Sequence, residues 1–212
     1  MPELRRQLIE TARRMAPANL NRGAAGNLSV RAREQGEDGY LITPSGMDYD
    51  VLVPDDIVFM RLDGTADGRR KPSSEWRLHH DVYATRPDAG AVLHAHSPFA
   101  TSLACLRRDI PPFHYMIARF GGDNVRCADY ATFGTQALSD HALAALSERN
   151  ACLLANHGLL VFGGTLEQMF ALAVEFEALC EQYWRACQIG QPVLLPAEEM
   201  RNVLARFATY GQ

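Results

Sequence analysis

Apolar residues recur along the chain with two distinct periods. Leu4, Leu8, Ala12 and Met15 stand three or four apart, so residues 3–15 predict an amphipathic helix, ended by Pro17. A glycine-bearing loop over 22–27 follows. Short apolar runs at 28–31, 40–43 and 57–61 predict strands, and the Gly, Asp and Pro residues between them suit hairpins and turns. The polar stretch 63–71 predicts a surface hairpin. Ser73 or Ser74 predicts an N-cap for a helix running to Arg86, with Glu75 in its first turn. Residues 91–96 predict a strand, and Ser97-Pro98 opens the next helix with proline at its first position. A short strand at 125–129 and a helix over 135–149 come next. Residues 151–155 and 159–162 are apolar and extended, interrupted by Asn156-His157-Gly158. Thr165-x-x-Gln168 reads as a capping box for a long helix to Ile189, and a last helix spans 197–207.

Helices and strands alternate without a strict strand–helix–strand rhythm, and no internal repeat or low-complexity linker divides the chain. A length of 212 residues suits one core better than two. The expectation is one α/β domain over 1–212, three-layered, with a central, mainly antiparallel sheet flanked by helices.

Composition narrows the function classes. Hydrophobic residues make up 47% and charged residues 22%, which argues against wholesale disorder. The net charge of -4 and the scattering of basic residues into pairs and one triplet give no nucleic-acid face. The first residues are charged throughout, and no apolar run approaches the roughly 20 residues of a membrane span, so neither a leader nor a membrane partner is expected. None of the five cysteines forms a Cys-x-x-Cys pair. Cys180 and Cys187 lie on one predicted helix, about 10 Å apart in rise, too far for a disulfide. The thiols read as small, reduced core residues of a cytoplasmic protein.

Candidate chemistry centres on histidine. His94 and His96 stand two apart in a predicted strand, so both rings leave one face while Leu93 and Ala95 leave the other. Two imidazoles about 7 Å apart along an extended backbone can converge on one cation. Catalytic Zn²⁺ commonly takes three protein ligands and keeps a fourth position open. His157 is the best third candidate, because an unpaired imidazole between two apolar strands is otherwise a costly intrusion. A histidine in such a place is also compatible with a hydrogen-bonded core residue, and spacing alone leaves both readings open. His79, His80, His114 and His141 read as structural or surface residues. Glu75, taken alone, reads as a carboxylate at the positive end of a helix. Gly26-Asn27, Ser45-Gly46 and Ser73-Ser74 offer small residues, N–H groups and hydroxyls of the kind that hold an anion, though each alone fits an ordinary turn or cap.

Collinear strings of residues carry a resemblance over about residues 3–211. They are Gly26-Asn27-x-Ser29-Val30-Arg31, Leu41-Ile42-Thr43-Pro44-x-Gly46, Pro72-Ser73-Ser74-Glu75-Trp76-Arg77, His94-x-His96, His114-Tyr115-Met116-Ile117-Ala118, Tyr130-Ala131-Thr132-Phe133-Gly134-Thr135, His157-Gly158-Leu159 and Thr209-Tyr210-Gly211. Together they resemble the class II aldolase/adducin family. The resemblance implies Zn²⁺ on His94, His96 and His157, with Co²⁺ or Mn²⁺ as other divalent occupants of such a donor set. It implies Glu75 as general base and additional contact to the metal. Gly26, Asn27, Ser45, Gly46, Ser73 and Ser74 would cradle a phosphate. Tyr115 would give a proton to the aldehyde oxygen, with Tyr210 assisting, and Phe133 and Phe207 would wall the aldehyde's apolar end. The implied reaction is reversible cleavage of a ketose 1-phosphate, L-fuculose 1-phosphate or a similar sugar, to dihydroxyacetone phosphate and a small aldehyde such as L-lactaldehyde. The implied assembly is a homotetramer with sites shared between subunits.

The only lysine, Lys71, lies in a polar loop, so Schiff-base chemistry has no good nucleophile. Ala24 stands where the family's fuculose-phosphate members carry threonine, which removes one hydroxyl donor and leaves the substrate open. Alternatives on the same scaffold are a methylthioribulose-phosphate dehydratase, a sugar-phosphate 4-epimerase, a decarboxylase of an oxo-acid phosphate and a metal-free adducin-like structural module.

Overall fold

The computed structural model describes residues 2–23 and 25–207. Helix α1 (Pro2–Arg14) buries Leu8 and Ala12 of the predicted stripe together with Ile9, half-buries Leu4, and ends before the buried Met15. Strands β1 (Asn27–Glu34) and β2 (Glu37–Ile42) form a hairpin whose register runs from Ser29 opposite Ile42 to Glu34 opposite Glu37. The connecting residues Gln35 and Gly36 both take positive φ, 53° and 88°, as a two-residue hairpin turn requires. Both strands outrun the sequence expectation. Their distal ends are charged (Arg33, Glu34, Glu37, Asp38) and carry no apolar alternation, so only backbone pairing marks them as strand.

Strands β3 (Val58–Arg61) and β4 (Ala66–Asp67) continue the sheet at one edge, with β4 inside the predicted polar hairpin. Helix α2 (Trp76–Thr85) begins later than expected. Its N-cap is Glu75, and Ser73-Ser74 form the turn before it, with the Trp76 N–H donating to Ser73 O at 3.1 Å. Strand β5 (Ala91–Ala95) stops one residue short of His96, and Pro98 opens α3 (Pro98–Ala104) as predicted. A 3-10 turn (Tyr115–Phe120), β6 (Cys127–Ala128), α4 (Gln136–Ala145), β7 (Ala151–Leu154), β8 (Gly158–Gly163), α5 (Leu166–Ile189) and α6 (Ala197–Phe207) complete the described chain.

The eight strands run in the order β4-β3-β2-β1-β5-β8-β7-β6, and every pairing except β6 with β7 is antiparallel. Alternation along the strands sends residues to two cores. Leu28, Val30, Leu93 and Ala95 join α1, α3 and α5 on one face. Tyr40, Ile42, Val92 and Leu160 meet α2 and α4 on the other. The result is an α/β sheet flanked by helices. No helix among the described residues is long and apolar enough to cross a membrane. All five cysteines are free; Cys152 and Cys180 are core residues as expected, whereas Cys105 and Cys187 are exposed, the latter near the outer end of α5.

Candidate metal centre

Strand alternation and two glycines build the site. His94 lies on the α2 side of β5, because Leu93 and Ala95 take the opposite face. His96 follows just past the strand end, and His157 sits in the turn from β7 to β8. A Cβ on Gly158 would lie 2.3 Å from Ala95 O, so glycine there lets the His157 turn close against the end of β5. Gly26 does the same on the other flank, where a Cβ would come within 2.7 Å of His94 O. Glu75 enters from the N-cap of α2.

One ligand atom from each of Glu75, His94, His96 and His157 falls within 4.8 Å of all the others. His94 Nε2 is 3.0 Å from His96 Nε2 and 3.2 Å from Glu75 Oε2, and His157 Nε2 is 3.2 Å from Glu75 Oε1. His94 Nδ1–H donates to Leu159 O at 2.8 Å, which turns its Nε2 lone pair inward. Nitrogens at Zn–N distances of about 2.0–2.1 Å on a tetrahedral ion stand about 3.3 Å apart, close to the spacing found. Glu75 Oε1 is buried and accepts no hydrogen bond. A carboxylate oxygen facing imidazole lone pairs in a buried pocket fits a cation between them.

The electrostatics agree. Burial opposes the charge on Glu75, but His94 and His157 outweigh it and hold the carboxyl far below the ordinary range. Burial likewise opposes charge on His94, yet Glu75 and the Leu159 carbonyl raise its pKa. Burial and the neighbouring imidazoles His94 and His157 push His96 down to about 4.

A cavity of about 360 Å³ opens onto Glu75, His96 and His157 and is walled by Ser74, Tyr130 and Phe133. The three candidate anion loops are knitted together beside it. Pro44 bridges Pro72, Ser73 N donates to Thr43 O at 3.1 Å and Ser45 N to Lys71 O at 3.2 Å, while the Tyr49 hydroxyl donates to Gly26 O. Ser45 and Gly46 are exposed, and Ser73 Oγ accepts from Glu75 N. Asn27 is also tied to Glu75 and His79. Its Nδ2 donates to Glu75 Oε2 at 3.1 Å and its Oδ1 faces His79 Nε2 at 2.6 Å, so one remaining N–H is all its side chain can offer a phosphate.

Tyr115 and Phe207 stack 6.4 Å apart in a separate groove with Arg119 and Leu172, and neither lines the cavity at Glu75. Phe133 does line it. Tyr210 and Ala24 lie outside the described residues.

The family model for the class II aldolase and adducin N-terminal domain matches residues 6–184. The chain belongs to this family. It is 58% identical over 208 residues to the 5-methylthioribulose-1-phosphate/5-deoxyribulose-1-phosphate aldolase of Rhodospirillum rubrum, covering 98% of this chain and 92% of that one. It is 46% identical over 210 residues to the L-fuculose phosphate aldolase of Escherichia coli, covering 99% and 96%. A solved structure of an L-fuculose 1-phosphate aldolase superposes with a TM-score of 0.93 at 41% identity, covering 98% and 97%. The protein is accordingly a class II aldolase, a metal-dependent lyase, and the Glu75–His94–His96–His157 cluster is where its described residues can hold the metal.

Sequence reasoning on this aldolase missed several residues. Tyr130 was visible only as part of a motif, yet it is half exposed and lines the cavity, and Arg107 lies over its ring at 5.6 Å. Asn156, which lines the cavity, accepts from Arg107 Nε at 2.6 Å. The aldolase's His114 caps the 3-10 turn by accepting from Met116 N, a structural role as expected.

Proposed function

We propose that this class II aldolase reversibly cleaves a 5-deoxy- or 5-methylthio-ketopentose 1-phosphate to dihydroxyacetone phosphate and a two-carbon aldehyde, acetaldehyde or its methylthio derivative. The observation that carries this reading is the pair of rings beside the metal cluster, Phe133 at 65% and Tyr130 at 52% exposed. Apolar surface left open next to buried charged groups favours a substrate whose far end is apolar. The 58% relative, named for such sugars, supports the same choice over L-fuculose 1-phosphate, whose lactaldehyde half carries a further hydroxyl.

His94, His96 and His157, with Glu75, would hold the ion, which we take to be Zn²⁺. A divalent cation bound there supplies Lewis-acid stabilisation of the negative charge that develops on the ketose oxygens as the carbon–carbon bond breaks. In condensation, Glu75 takes the proton from C3 of dihydroxyacetone phosphate; in cleavage it returns that proton to the same carbon. A carboxylate is a weak base for a carbon acid, so Glu75 depends on a cation at the cluster, which would polarise the carbonyl and make the neighbouring C–H acidic enough for it. Ser73, Ser74, Ser45, Gly46, Gly26 and the remaining N–H of Asn27 bind the phosphate. Tyr115, brought by a neighbouring subunit of a homotetramer, gives its proton to the aldehyde oxygen with help from Tyr210, and Phe207 joins the apolar wall from that side. The free thiols support a cytoplasmic setting.

The test is condensation of dihydroxyacetone phosphate with a panel of aldehydes on the metal-loaded protein, with products identified by NMR. Acetaldehyde and methylthioacetaldehyde should exceed glyceraldehyde by about ten-fold or more in kcat/KM, the range an apolar wall can discriminate. Loss of water from 5-methylthioribulose 1-phosphate, with no aldehyde released, would instead establish the dehydratase.

A further inference from the structure

Five polar side chains interleave between β1 and α2, beneath the metal cluster. Asn27 and Ser29 are two apart on β1 and share a face; Glu75, His79 and Tyr83 are four apart along the cap and body of α2 and share another. They alternate in space as Glu75, Asn27, His79, Ser29 and Tyr83. Asn27 Nδ2 donates to Glu75 Oε2 at 3.1 Å, His79 Nε2 meets Asn27 Oδ1 at 2.6 Å, Ser29 Oγ meets His79 Nδ1 at 2.7 Å, and Ser29 Oγ meets the Tyr83 hydroxyl at 2.8 Å. All five are at most 5% exposed.

We propose that Tyr83, Ser29, His79 and Asn27 form a one-way hydrogen-bond relay that holds the Glu75 carboxylate in register, with His79 as its positioning residue. The proposal rests on Glu75 being the base, as argued above. The direction of every bond follows from the carboxylate. An ionised Glu75 only accepts, so Asn27 must turn its NH₂ toward it and its Oδ1 toward His79. That oxygen needs a donor, so His79 carries its proton on Nε2. Nδ1 is then a lone pair and takes the Ser29 hydroxyl proton. Ser29 has no second proton, so Tyr83 donates to it. Burial, then the positive field of His94, pushes His79 down to about 3, against the pull of Glu75, so the ring stays neutral and has one proton to place. The relay ties Oε2 and leaves Oε1 as the oxygen with no hydrogen bond.

Mere packing does not call for this arrangement. Apolar side chains of similar volume would fill the same strand–helix interface without the risk of an unsatisfied polar group. A polar chain that ends on a base is the economical explanation of its polarity. It also gives His79, on sequence a structural histidine, a defined tautomer as its function.

The test uses the full-length protein, with and without Zn²⁺. Long-range ¹H–¹⁵N correlation should show His79 as the neutral Nε2–H tautomer from pH 5 to pH 8, with its signals assigned by their absence in His79→Gln. His79→Leu should slow exchange of the C3 proton of dihydroxyacetone phosphate with solvent by about 10–100-fold with KM unchanged, the usual loss when an outer support is removed. His79→Gln, whose N–H can still reach Asn27, should recover most of that rate. An Nδ1–H tautomer, an imidazolium, or a His79→Leu protein exchanging at the wild-type rate overturns the relay. Should His79→Leu not fold, Ser29→Ala takes its place: a shifted His79 ring signal with slower exchange supports the relay, and neither change refutes it. A zinc-loaded wild type that exchanges no proton sinks the base assignment instead, and the tautomer then decides the relay by itself.

Discussion

At the scale of single residues, the centre is a contest between a proton and a cation for the same buried lone pairs. Glu75 and Leu159 raise His94 against the effect of burial, so a proton competes there to higher pH than at an ordinary histidine. Zn²⁺ affinity of the metal-free protein, measured against a competing chelator, should fall as pH drops through neutrality. Binding heats should vary with buffer ionisation as a proton is released. A flat affinity from pH 6 to pH 8 would show that no proton competes with the ion at His94 in that range. Glu75→Gln separates the two roles of the carboxylate. It should abolish solvent exchange of the C3 proton of dihydroxyacetone phosphate, a loss of at least about 100-fold. Metal analysis should still find an ion on the three histidines. Exchange at the wild-type rate would move the base elsewhere. Strand alternation made it legible that His94 and His96 share a face, whereas spacing alone left His157 either a third ligand or a hydrogen-bonded core residue. Asn27 was not legible in its true attachment. Its partners Glu75 and His79 lie 48 and 52 positions away, and nothing in the local Gly-Asn pair points to them.

At the scale of elements, the sequence is reliable where a cap or an apolar stripe marks an end. Thr165 and Thr135 cap their helices by accepting from Gln168 N and Leu138 N, and both starts were readable. The start of α2 was misread, because Ser73 spends its Oγ on the Glu75 N–H in the turn before the helix. One residue of the apolar α5 stripe escaped notice altogether. Glu177 is buried on that helix and accepts from Ser97 Oγ at 2.6 Å, Phe99 N at 2.8 Å and Ala100 N at 2.9 Å. It satisfies the first donors of α3, whose chain leads directly out of His96. Glu177→Leu leaves these donors without a partner in a dry interface, so it should cost about 2–4 kcal/mol in urea unfolding. A variant as stable as the parent would mean that α3 finds other acceptors. Since Ser97 adjoins His96, metal affinity should weaken along with stability.

At the scale of the whole molecule, the two groups of residues proposed for one site do not meet among the described residues of one chain. The metal cluster, Phe133 and Tyr130 open on one cavity, while Tyr115 and Phe207 share another groove. A reaction that needs both halves requires two chains, with each groove set against the next subunit's cavity. In a closed ring of identical subunits such a heterologous contact repeats, and every interface makes one complete site. Two separately inactive variants then become complementary. His94→Ala lacks the cluster but keeps Tyr115; Tyr115→Phe keeps the cluster but lacks the hydroxyl. Unfolded together and refolded at equal amounts, they should mix at random. A cluster from one variant then meets the tyrosine of the other at about one quarter of the interfaces, so the mixture should regain about one quarter of the wild-type aldol cleavage rate. Size-exclusion chromatography with light scattering would confirm that both variants still assemble. If the assembled mixture is no more active than the mean of its components, Tyr115 serves the cluster of its own chain or none. The present groove would then have to close on the cavity by a movement of the 3-10 turn that carries it.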